Sequence, residues 1–109
     1  MIDMTWTDQH ARTDIVRTVL ARAAVDPHDS AVFAGLADLD RLFGGVEGLL
    51  LTLGYRWRNH LDAKIELGAA QGRTPEEMYR ELCAEQPELR ALLDAQYVRR
   101  DLAAMAPAR

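Results

Sequence analysis

The stretch GYRWRNHLDAK, residues 54–64, gathers more chemically capable side chains than any other in the chain. Trp57 stands between Arg56 and Arg58, and His60 follows three residues later. Such a set could read an acidic or aromatic partner, hold a ligand through an imidazole, or respond to pH. On a helical wheel turning about 100° per residue, Leu50, Leu53 and Leu61 fall within about 40° of Trp57. Trp57 is therefore expected at the centre of an apolar face, as a core anchor. Arg56 and Arg58 fall about 100° to either side, where an arginine lays its stem on apolar surface and keeps its guanidinium wet. Arg58 is expected to pair with Asp62 one turn on. His60 and Lys64 lie inside the apolar sector, so Lys64 should reach outward, and His60 is either a hydrogen-bonded core-edge histidine or one that faces a pocket. Tyr55, Asn59 and Glu66 point away and should be wet.

Other chemistry finds less support. His10, His28 and His60 are scattered, and no pair of ligands shares a helical face at metal-binding spacing, so no metal site is expected. Cys83 lies among Met78, Tyr79 and Leu82 at helical spacing, the setting of a buried inert thiol. Ser30, the single serine, stands at a helix start and suits local backbone bonding. Gly44–Gly48 lacks the Lys-Ser/Thr of a phosphate-cradling loop and any preceding strand. No catalytic residue and no cofactor follow from these patterns.

The elements that would position these residues are helical. Thr5 and Asp8 fit a capping box ahead of a helix over about 6–24 with Ile15, Val16, Val19, Leu20 and Ala23 on one face. Asp26 and Pro27 then suit the start of a second helix running to Phe43, with Val32, Leu36, Leu39 and Phe43 at steps of four, three and four and Phe33 beside them. The third segment, Val46 to about Ala70, is apolar on nearly all sides at its start, as in a buried central helix. Gly48 and Gly54 within it suggest close packing, and Gly68 or Gly72 its end. Thr74, Pro75, Glu76 and Glu77 are the strongest helix-start signal in the chain. Pro87 forces a break at Gln86, and a last helix carries Leu89, Leu92 and Leu93 on to about Leu102. About five helical segments with no strand pattern predict an all-α fold, a compact bundle or an orthogonal array. Residues 1–109 form a single domain, with 1–5 and 104–109 frayed.

Bulk composition narrows the function. At 109 residues, with 49% apolar and 28% charged side chains, this is an ordinary globular composition. A net charge of −4 argues against non-specific nucleic-acid binding. A single cysteine fits a reducing cytoplasm, residues 1–8 do not resemble a signal peptide, and the apolar run Leu49–Leu53 is far short of the ~20 residues of a membrane span. Arginine outnumbers lysine twelve to one, which with abundant alanine suggests a GC-rich bacterial genome. The expected function is a non-enzymatic protein–protein interaction or regulatory module, a homodimer or the partner of another helical protein. Its expected surface is Leu50, Leu53, Trp57, His60 and Leu61 with Arg56 and Arg58 at the rim. One alternative is a small-ligand binder or minor enzyme using a pocket beside His60. The other is a DNA-binding regulator, disfavoured because its best-capped helix opens on Pro75-Glu76-Glu77, which repels phosphate.

Overall fold

The computed structural model describes residues 5–105, with side chains described through residue 99. Among the described residues there are five α-helices and no strand, an all-α bundle as the sequence predicts. Helix α1 is Trp6–Val25 and starts at its predicted cap, where Thr5 Oγ1 accepts from the Asp8 backbone N–H at 3.0 Å. The reciprocal half of the capping box gives way to a longer reach: the Asp8 carboxylate accepts from Arg41 Nη1 at 2.9 Å. Ile15, Val19 and Ala23 bury the inner face.

The second predicted helix is not one element. Asp26 ends α1 instead of opening the next helix, and its carboxylate accepts from the His28 backbone N–H at 2.9 Å. A 3₁₀ turn, Ser30–Phe33, follows, and α2 is only Leu39–Phe43. Between them Gly35 (φ 67°) and Asp38 (φ 66°) are left-handed, which a right-handed helix does not tolerate. The apolar spacing survives without the helix, because Val32 and Leu42 are buried and Leu36, Leu39 and Phe43 pack against the core.

Irregular backbone packed against a core must find donors for its carbonyls. Helix α1 supplies them. Arg22 Nη1 donates to the carbonyls of Ala31 and Val32, each at 3.2 Å, and of Ala34 at 2.7 Å. Arg12 donates to the Leu42 carbonyl while its guanidinium lies 4.2 Å from the centre of the Phe43 ring.

Helix α3, Val46–Ala70, follows a left-handed Gly44-Gly45 pair. Gly48 is required by its neighbour, since a Cβ there would fall on the Phe43 carbonyl oxygen. Gly68 lies within the helix against Met78, where a Cβ would sit 2.5 Å from Sδ. The stop is therefore at Gly72 (φ 75°), where the Arg73 N–H closes back on the Gly68 carbonyl at 2.8 Å. Leu49, Leu50, Leu53 and Trp57 are buried, but Leu51, Tyr55 and Leu67 are exposed, so this helix is not covered on all sides.

Helix α4, Pro75–Glu85, carries the complete capping box of Thr74 and Glu77. Helix α5, Pro87–Met105, starts directly after the Gln86 cap and runs past the predicted end at Leu102. Of the expected frayed ends, 104–105 are helical, Thr5 is the α1 cap, and 1–4 and 106–109 lie outside the described residues. Helix α3 packs on α2, α4 and α5, and α1 packs on α5, closing a core around Val19, Val32, Leu49, Leu53, Leu82 and Leu92.

The α4 cap carries a pH dependence. Bonds from the Thr74 backbone N–H and hydroxyl, aided by Arg73, hold the Glu77 carboxyl below its usual value of 4.5 against a smaller desolvation effect. A depressed carboxyl stabilises fully above its unfolded value, and that contribution is lost as pH falls through the folded one. The stability gap between the native chain and Glu77→Gln, followed by urea denaturation, should accordingly be constant near neutrality and close below about pH 4. A gap independent of pH would show that the carboxylate adds nothing at this cap.

Candidate functional site

Two clefts lie along one side of α3. They share no lining residue. The first runs beside the N-terminal half of α3, where α5 docks. Its floor is Leu50 and Leu93, its walls are Leu51, Tyr55 and Tyr97, and its volume is about 290 Å³. Gly54 leaves the floor open, since a Cβ there would meet nothing within 4 Å. Two polar groups enter this apolar groove. Arg58 is exposed and has no carboxylate partner among the described residues, so the expected Arg58–Asp62 pair is not formed. Gln96 is only 9% exposed, and its side-chain amide forms no hydrogen bond to another described residue.

The second cleft lies beside the C-terminal half of α3, where α4 begins. Leu61, Ile65, Pro75 and Tyr79 make it almost wholly apolar, and Glu76 and Arg80 stand at its edge. These two charges are one turn apart on α4, and neither has an ion-pair partner among the described residues. Tyr79 meets the Trp57 ring edge-on, with centroids 6.1 Å apart. The neighbouring Cys83 thiol is the main influence pushing the Tyr79 phenol above its ordinary value, with desolvation next.

No protein-family model, curated protein or solved structure matches this chain. Its own surfaces are then the guide to function.

The residues singled out from the sequence are divided among the core, the two clefts and the surface outside them. Leu53 and Trp57 are buried in the core, Trp57 with the Arg90 guanidinium 4.7 Å above its ring. Leu50 and Arg58 line the α3/α5 groove, and Leu61 lines the α3/α4 cleft. Arg56 is exposed and lines neither. His60 is also exposed and outside both, with Nδ1 accepting from Gln86 Nε2 at 2.9 Å, a bond that places the proton of a neutral ring on Nε2.

Lys64 reaches Glu81 at 3.3 Å and Glu85 at 3.2 Å. Desolvation works against its charge, but the bonds to Glu85 and Glu81 hold its pKa above the usual value. Arg73 reaches the same Glu81 at 2.7 Å, so these charges bind α4 to the end of α3. Among the described residues no group of three or more His, Cys, Asp or Glu is placed to hold a metal ion, and no helix is long and apolar enough to cross a membrane. Gln96, Tyr97, Pro75 and Tyr79 were not foreseen as site residues. They come from helices α4 and α5, and a wheel drawn for α3 alone carries no sign of where those helices dock.

Proposed function

We propose that the chain is a non-enzymatic interaction module that self-associates through the α3/α4 cleft. The observation that supports this reading is the pairing of an apolar cleft with two opposite charges, Glu76 and Arg80, on one short helix, neither of them ion-paired among the described residues. A two-fold interface brings a patch against its own copy. If two α4 helices cross antiparallel, Glu76 of each copy meets Arg80 of the other while Leu61, Ile65 and Tyr79 close the centre. A surface bearing both signs at this spacing complements itself, which is a reason to choose a second copy over an unrelated partner. Four apolar residues are few beside the ~20–30 residues a side of a standard interface. The dimer should therefore depend on concentration. The single cysteine fits a reducing, cytoplasmic setting.

Light scattering across a concentration series should rise from the 12.2 kDa of one chain toward about 24 kDa. Arg80→Glu and Glu76→Arg should each weaken the dimer about tenfold or more, and the double reversal should restore it. A strict monomer at every concentration, or single reversals that the double does not rescue, would overturn this arrangement.

A further inference from the structure

The α3/α5 groove poses a separate question, because it is lined by a nearly buried amide, Gln96, with no side-chain hydrogen bond to another described residue. Gln96 is nine-tenths buried, and no described side-chain nitrogen or oxygen is both fully enclosed and unpartnered. Gln96 lines the groove. An amide so recessed can take its hydrogen bonds from whatever occupies the groove, water or ligand. Arg58, with no carboxylate partner among the described residues, adds a guanidinium at the same groove whose planar fork matches a carboxylate. Between the two polar groups lies an apolar bed of Leu50, Leu51 and Leu93, widened at Gly54. Glycine in mid-helix is unfavourable, and at position 54 nothing in the chain's own packing calls for it.

We infer that the α3/α5 groove is a binding site for a small amphipathic carboxylate. Its acid pairs with the Arg58 guanidinium, the Gln96 amide makes the second polar contact, and its apolar body lies on the leucines over Gly54. Tyr55 and Tyr97 wall the body from water. The size of the ligand follows from the space. A cavity of ~150 Å³ holds a benzene ring, and the groove at about 290 Å³ is close to twice that. It suits one ring, or a short acyl chain, with a carboxylate arm. Small-molecule sites share this composition, mostly apolar with a few convergent polar groups. The site is complete within one chain and needs no second copy.

Hydrocinnamate, a phenyl ring on a short carboxylate arm, is the probe, and hydrocinnamyl alcohol is its uncharged control. Titration followed by backbone and side-chain amide NMR should give saturable shifts at Gly54, Leu93, Tyr97 and the Gln96 side-chain NH₂. Binding should weaken about tenfold in Arg58→Gln, in Gln96→Leu and for the alcohol. Gly54→Leu, whose Cβ would meet nothing within 4 Å and whose side chain would occupy the groove, should abolish it. Arg58 is exposed, so its variant should fold normally. The same titration on Arg80→Glu should be unchanged, which separates this site from the self-association cleft. Absence of saturable shifts at the groove, equal binding of acid and alcohol, or affinity indifferent to Arg58, Gln96 and Gly54 would each overturn the assignment.

Discussion

Trp57→Ala should destabilise the fold by about 3–5 kcal/mol, the range seen when a buried tryptophan is truncated. The indole is 6% exposed and touches groups that lose their support with it. The Arg90 guanidinium stacks 4.7 Å above the ring, and that contact adds about 0.5–1 kcal/mol at a partly exposed site. Tyr79 loses its edge-on neighbour. Equilibrium urea denaturation at low protein concentration measures the monomer alone, so an effect on association cannot be mistaken for one on folding. A loss below about 1 kcal/mol would mean that the neighbours collapse into the space, and that Trp57 is not the anchor its burial indicates. Because Tyr79 also walls the α3/α4 cleft, the surviving folded fraction should associate more weakly as well.

Gly48→Ala should be destabilising by about 3 kcal/mol or more, against the usual gain from replacing a helical glycine. The added methyl carbon would fall on the Phe43 carbonyl oxygen, and a backbone atom cannot turn aside as a side chain would. Relief requires the Gly44-Gly45 corner to open and α2 to move off α3. Gly54→Ala on the same helix is the matched control. Its new methyl would meet nothing within 4 Å, so it should gain about 1 kcal/mol from helix propensity alone. Denaturation of the two variants should give opposite signs. The same sign for both would mean that the α2–α3 corner yields easily, or that Gly54 is held by something other than open space.

These two glycines also mark how far the sequence could be read. Both suggest close packing on the page, yet one is pressed by backbone and the other faces an empty groove. The starts of α1, α4 and α5 were legible because the Thr5 and Thr74 caps and the fixed φ of Pro75 and Pro87 act on their immediate neighbours in the chain. The segment 27–43 was misread for a physical reason. A spacing of three and four tells which side chains face the core, and a turn with two left-handed residues satisfies it as well as a helix does. Gly35 and Asp38 were the available signals, since glycine and aspartate are among the residues that accept a positive φ.

The two clefts were legible only from one side. The wheel for α3 placed Trp57 correctly toward the interior, and Leu50, Arg58 and Leu61 do reach the clefts. Tyr55 was expected to be wet, and it is, but it also forms a wall because α5 docks beside it. Gln96 could not have been found by pattern, since its place in the groove depends on how α5 docks on α3.

The Arg22 tie carries a last consequence. Three carbonyls of the 31–34 segment converge on one nitrogen of its guanidinium, the geometry by which loops elsewhere enclose a free cation. Here the cation is covalently tethered, nine residues before the first carbonyl it binds. Tethering replaces a dissociable ion with an effective concentration fixed by the chain. The loop is in this sense a cation niche that arrives already loaded, and its shape draws on no ion from the medium.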